Sequence, residues 1–276
     1  MRWQQTLSQH WPEYLIEGWA LGSFMISAGL FTMLVEHPLS PLHSLILDAD
    51  LRRILIGIAM GLTAIGLIYS PWGQRSGAHM NPAVTLSYWS LGKVTAGDAL
   101  GYIFAQFVGG TLGVLLLWAI GGPLLSAPPV NFVITAPGAA GIAVAFVAEV
   151  AISFLMMTTV LTVSNHSSLA RYTPLFAGSL VALYISVEAP LSGMSMNPAR
   201  SFASAAPAGA WQALWIYFTA PVLGMLSAAY TYRRFTSGAR VACAKLLHPD
   251  DQPCIHCGHV PISKAASSMG AQHHVL

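Results

Sequence analysis

The residues of this chain equipped to do chemistry fall mainly in two matching stretches, Ser76–Thr85 and Ser192–Ser201. Both read Ser-Gly-x-x-Met-Asn-Pro-Ala, at 76–83 and again at 192–199. Asn81 and Asn197 are the pivots. Asn is a favoured N-cap, and Pro suits the first helical position because its missing N–H costs nothing there. While each amide oxygen caps its own helix, the NH2 is expected to stay free to donate to whatever lies between. That chemistry orients a polar molecule; it breaks no bond. No nucleophile–base pair or metal cluster lies near the repeats, so an enzyme is not expected. No cofactor is expected either.

The elements that must position these asparagines follow from the repeat. Ser76-Gly77-Ala78 and Ser192-Gly193 let backbone pass close to neighbours. The helices behind them run from Asn81 to about Trp89 and from Asn197 to about Ala205, roughly 12–14 Å each. Neither spans a ~30 Å hydrocarbon core, but two end to end can. If the repeat is inverted, they enter from opposite sides and their N-termini meet near the midplane.

Composition agrees with a bilayer setting. Hydrophobic residues make up 55% of the 276 and charged residues 8%, and mean hydropathy is +0.61. So few charges cannot coat a water-facing surface, and the chain is expected to be an all-α integral membrane protein. The lipid bilayer is its first partner. Twelve basic against ten acidic residues leave no nucleic-acid footprint. No signal-peptide pattern opens the chain: Arg2 is alone and the apolar stretch contains Glu17.

Six apolar segments can be drawn, at about 14–35, 51–70, 98–120, 142–163, 173–190 and 211–232. Each half then reads as three spans plus one half-helix, over about 13–120 and 142–235, after a short N-terminus at 1–12. Arg2, Arg75, Lys93, Arg171, Arg233 and Arg234 lie on one side and Arg52 and Arg53 on the other. This bias predicts both termini in the cytoplasm of a multi-pass protein of the plasma (inner) membrane. Residues 236–276 turn polar and are expected as a flexible cytoplasmic tail.

Glu17 and Glu149 occupy matching places in the first span of each half. Acids inside a membrane are candidate proton relays. The structural reading is stronger, because each half must bury an irregular loop whose N–H groups one carboxylate can accept. Glu188 has no counterpart and lies three residues after Ile185, either at the outer mouth or facing the surface. In the tail, Cys254, His256, Cys257 and His259 could bind Zn²⁺ in principle. They crowd into six residues with no second knuckle, so no metal is expected. All three cysteines follow the last span, and no disulfide framework is indicated.

On the repeat motif, the paired glutamates and the six-span pattern, residues 13 to 235 resemble the aquaporin, or major intrinsic protein, family. The resemblance implies six membrane helices with two re-entrant half-helices, a homotetramer, and one pore per subunit conducting water or small uncharged solutes. It implies that Asn81 and Asn197 donate to the permeant at the midplane. The loop backbone at Gly77, Ala78, His79, Gly193 and Ser195 would line the pore, and Arg200 the outer constriction. In such pores, positive helix ends and a fixed Arg oppose protons and cations.

The remaining filter positions depart from water-selective members. Ile185 stands where those channels have His, Met194 takes the small Cys or Thr position, and the aromatic of the second span falls on Met60 or Gly61. Ser201 after the Arg and Tyr217-Phe218 resemble the water-channel type instead. The expectation is therefore water flux with some passage of solutes such as glycerol. The alternatives are a glycerol- or metalloid-type facilitator with little water flux and, from another class, a secondary transporter. Against the transporter, the half-helix stretches contain no Asp or Glu to form a coupling-ion site.

Overall fold

Apolar runs of this length can satisfy their backbone in a bilayer only as helices or closed barrels, and this chain uses helices. The computed structural model describes residues 3–236, 241–249 and 251–261. α1 spans Trp3–Glu36, α2 Ala49–Tyr69, α3 Pro82–Ser90 and α4 Ala96–Gly121. α5 follows at Ile142–Ser164, α6 at Thr173–Val187, α7 at Pro198–Ala208 and α8 at Leu214–Phe235. Among the described residues, α1, α2, α4, α5 and α8 are long and apolar enough to cross a membrane.

The remaining span, expected over 173–190, is shorter. α6 stops after 15 residues, about 22 Å of rise. Pro190 has no N–H to continue the ladder, and a separate turn at Ala189–Ser192 delivers the chain to the second repeat stretch. α1 begins earlier than the apolar run that marks it, and α8 starts three residues later than drawn, after a left-handed Ala213 (φ 58°).

Packing shows the repeat. α1 lies against α4 and α5 against α8, the same pair in each half, while α2 and α6 join the halves. Gly18 and Gly22 let α1 approach α4 closely; a Cβ at Gly22 would lie 2.8 Å from the Gly109 carbonyl oxygen. Small residues four apart are the usual device for such contact in lipid. Leu62, Phe104, Val147 and Leu223 are more than half exposed on the outside of the bundle, a surface suited to hydrocarbon.

The described tail residues correct the expectation of a flexible appendage. Val241, Ala244 and Leu246 join a core cluster with Ile68, Val84 and Val160. The Ala242 N–H donates to Asn165 Oδ1 at 2.7 Å, and the Leu246 N–H to the Gly77 carbonyl oxygen at 3.2 Å. The polar composition of the whole tail masks these few apolar residues, which fill a cleft beside the first re-entrant stretch.

Candidate functional site

The two re-entrant loops are held by one carboxylate each. Glu17 accepts from the Ser76 hydroxyl (2.7 Å) and from the N–H groups of His79 (3.0 Å) and Met80 (2.6 Å). Glu149 accepts from the Ser192 hydroxyl (2.8 Å) and from the N–H groups of Ser195 (2.6 Å) and Met196 (2.7 Å). Both acids are fully buried, and each accepts on both of its oxygens. They need this satisfaction because the loops carry left-handed residues that no regular ladder could pair: Gly77, Ala78 and Met80, and Gly193, Met194 and Met196. Charge-assisted bonds of this kind are roughly twice as strong as neutral ones. The first half adds Gln106, whose Nε2 donates to Glu17 at 2.9 Å.

The asparagines cap their helices as the sequence suggests. Asn81 Oδ1 accepts from the Ala83 N–H (2.8 Å), and Asn197 Oδ1 from those of Ala199 (3.1 Å) and Arg200 (3.2 Å). Their amide nitrogens are not both free, however. Asn81 Nδ2 donates to the Met196 carbonyl oxygen and Asn197 Nδ2 to the Met80 carbonyl oxygen, each at 2.7 Å. One hydrogen of each NH2 therefore ties the halves together across the pseudo-two-fold. The other hydrogen of each remains available to a further acceptor.

Asn81, Asn197 and Arg200 line one cavity of about 190 Å³. Its walls are largely apolar and include Ile185, Met194, Met60, Ile56 and Phe24. Between Met60 and Gly61 the structure selects Met60. Gly61 turns instead against α6, where a Cβ would lie 2.6 Å from the Gly178 carbonyl oxygen. Arg200 Nη1 donates to the Val133 carbonyl oxygen at 2.8 Å, so the loop before α5 aims the guanidinium. Thr135 and Ser201 hydroxyls meet at 2.7 Å. Glu188 is 6% exposed, so it is not a surface-facing acid.

The loop positions divide unevenly. Ala78, His79, Gly193 and Ser195 line the cavity, but Gly77 does not. Its carbonyl is taken by Leu246, which lines the cavity itself. His79 is likewise covered: its Nε2 contacts the Ala244 carbonyl oxygen at 2.6 Å. Ile56, Phe24 and Leu246 are lining residues that motif matching could not find. Ile56 could be inferred from its four-residue spacing with Met60, but Leu246 has no signal in sequence.

The tail cluster also differs from expectation. Cys243, His248, Cys254 and Cys257 converge, with their ligand atoms all within 4.8 Å of one another. His256 points away, stacks on His79 with ring centroids 5.9 Å apart and lies 3.2 Å from the Tyr102 hydroxyl. A hydrogen bond with Cys243, backbone N–H groups of Cys257 and His256, and the Lys245 charge hold the Cys254 thiol below the ordinary thiol range.

Known proteins resemble this chain in sequence and in fold. Aquaporin NIP1-2 of Arabidopsis thaliana is 35% identical over 64% of this chain, a match spanning about 61% of that protein's length. Probable aquaporin AqpM of Archaeoglobus fulgidus is 36% identical over 64% of this chain and 74% of its own. The X-ray structure of the aquaglyceroporin from Plasmodium falciparum superposes with a TM-score of 0.64 at 20% identity, covering 82% of this chain and 96% of that one. That likeness is one of fold. The profile described as Major intrinsic protein matches residues 11–232, from α1 through α8 and across both capped half-helices. The chain therefore belongs to the major intrinsic protein family.

Proposed function

We propose that the protein is a passive channel for water that also admits small uncharged solutes such as glycerol. The observation that carries this reading is the meeting of Asn81 and Asn197 in the same apolar-walled cavity as Arg200. A permeant crossing the midplane receives one donated hydrogen from each asparagine. Loop carbonyls other than those of Gly77, Met80 and Met196, which the protein itself occupies, act as acceptors, while Ile185, Met60 and Met194 offer none of the bonds water would make. Two positive helix ends and the Arg200 guanidinium oppose cations. Such a lining moves polar molecules without binding any of them tightly.

The filter chemistry also supports the solute-facilitator reading. Apolar lining costs water part of its hydrogen bonding, whereas a solute with a carbon backbone loses less. With the basic ends of the bundle inward, the half-helix α3 enters from the cytoplasm and α7 from outside, in the plasma or inner membrane. The family resemblance supports a homotetramer with one pore in each subunit. The test is stopped-flow light scattering on proteoliposomes with water, glycerol and urea. The parent should pass water and glycerol, and Ile185→His should lower the glycerol-to-water ratio on the order of tenfold, a 1.4 kcal/mol difference in barrier. An unchanged ratio would show that Ile185 does not set selectivity.

A further inference from the structure

We propose that Cys243, His248, Cys254 and Cys257 bind a thiophilic divalent cation of the Zn²⁺ class, and that this site holds the C-terminal segment as a plug in the inner mouth of the pore. The plug part rests on the channel reading above; the metal part does not.

Four observations carry the site. The first is donor geometry. Cys243 and Cys254 sulfurs are 3.4 Å apart, and His248 Nε2 lies 3.2 Å from the Cys257 sulfur. A tetrahedral zinc with ~2.3 Å bonds to sulfur and ~2.0 Å bonds to nitrogen places its ligand atoms about 3.5–3.8 Å apart. The observed spread, up to 4.8 Å across the group, needs only small side-chain adjustment. A disulfide would hold two sulfurs at ~2.05 Å, and all three cysteines are free.

The second is backbone preparation. Cys254 and Cys257 stand on a tight turn: the Gly258 N–H donates to the Cys254 carbonyl oxygen, and the Cys254 N–H to that of His259, each at 3.0 Å. Gly258 takes a left-handed φ of 74° to close it. The turn fixes the spacing of the two cysteines before any ion binds.

The third is charge. Three thiolates and a neutral imidazole around a divalent cation carry a net charge of about −1. Lys245, 2% exposed, is buried beside the cluster, and its Nζ has no hydrogen-bond partner among the described residues. Its ammonium supplies the matching charge. Binding would release the thiol protons to solvent through the open side, where His248 and the exposed Cys257 border a surface cavity.

The fourth is what orders the segment. Residues 241–249 and 251–261 have no helix or strand, yet Val241, Ala244, Lys245 and Leu246 are all at least nine-tenths buried. A stretch with so little regular structure has little of its own to offset the entropy of ordering. A cross-linking metal is the ordinary remedy in small units.

The site is coupled to the pore by what it clamps. Leu246, between ligands Cys243 and His248, both lines the cavity and occupies the Gly77 carbonyl. Ala244 engages His79, and His256, between the other two ligands, reaches the Ser76 carbonyl oxygen at 3.4 Å. The repeat supplies the control: Gly193 lines the cavity, whereas its counterpart Gly77 is covered. Gly193 is approached by the Thr135–Ala136 backbone instead, whereas Gly77 is approached by Ala244 and Lys245 of the tail.

Two measurements test this on the full-length protein. Detergent-purified protein loaded with Co²⁺ in place of Zn²⁺ should bind one ion per chain with the bands of a tetrahedral thiolate site. The variant carrying Cys254→Ser and Cys257→Ser should lose them. In proteoliposomes, a membrane-permeant chelator should raise the parent's water permeability on the order of tenfold, as when a state occupied about nine-tenths of the time is released, and Zn²⁺ should restore it. A chain ending at Phe235 should conduct at the raised level without chelator.

Absence of a stoichiometric cobalt site overturns the proposal, as does a response to thiol oxidants but not to chelator. A metal site with unchanged flux overturns the plug. If the chain ending at Phe235 is no more permeable than empty vesicles, the channel reading and the plug fall together, while the cobalt spectrum still decides the site.

Discussion

Each midplane asparagine has two tasks that the amide group alone can combine. Its oxygen caps a half-helix, and its nitrogen donates across the pseudo-two-fold to the opposite loop at 2.7 Å. Asn197→Asp separates the tasks. The carboxylate keeps the cap to Ala199 and Arg200 but sets an oxygen against the Met80 carbonyl oxygen. Loss of that bond with an unpaired buried acceptor should destabilise the junction by about 1–3 kcal/mol. Lower water flux at equal membrane abundance, together with a lower unfolding temperature in detergent, is the expected result. Parent-like values in both measurements would mean that the junction does not depend on this amide.

Among the elements, the re-entrant loops are the costliest to build. Their left-handed residues prevent a ladder, so Glu149 is the acceptor for one hydroxyl and two N–H groups that have no water to turn to. Glu149→Ala leaves all three donors unsatisfied, at about 1–3 kcal/mol each. The variant should accumulate poorly and unfold several degrees lower. Glu149→Gln, which keeps one acceptor oxygen, should fall between. Thermal unfolding of the three proteins in one detergent measures this ranking; equal stability of the Ala and Gln variants would remove the acceptor role. A proton relay, the other reading of these acids, finds no support in carboxylates whose two oxygens both hold loop donors.

For the whole molecule, the proposed sidedness rests on the distribution of basic residues. Leu39, 81% exposed in the connection between α1 and α2, should face outward, and Lys93, after α3, inward. In a chain freed of its native cysteines, Leu39→Cys should react with an impermeant maleimide on intact cells and Lys93→Cys only after lysis. The opposite labelling pattern would invert the orientation and place the tail outside. The pairing of α1 with α4, α5 with α8 and α2 with α6 explains why the two halves can share one cavity. The junction lies where their half-helices end.

Much of this architecture is legible in local sequence because it repeats. The duplicated Ser-Gly-x-x-Met-Asn-Pro-Ala stretch, the matched Glu17 and Glu149 and the apolar runs specify half-helices, their acceptors and their spans through local capping and hydropathy. Those rules act within a few residues, so one sequence suffices to read them. Other features depend on partners brought from far along the chain. Met60 rather than Gly61 faces the cavity because α6 packs on α2 so closely that only glycine fits the contact. The second amide bond of each asparagine ends on a carbonyl more than a hundred residues away. Leu246 lines the cavity, and Cys243 and His248 join the later cysteine pair, because the tail finds a cleft that exists only once the bundle has formed. Composition reports how apolar a segment is; it carries no information about the shape of the cavity that will receive it.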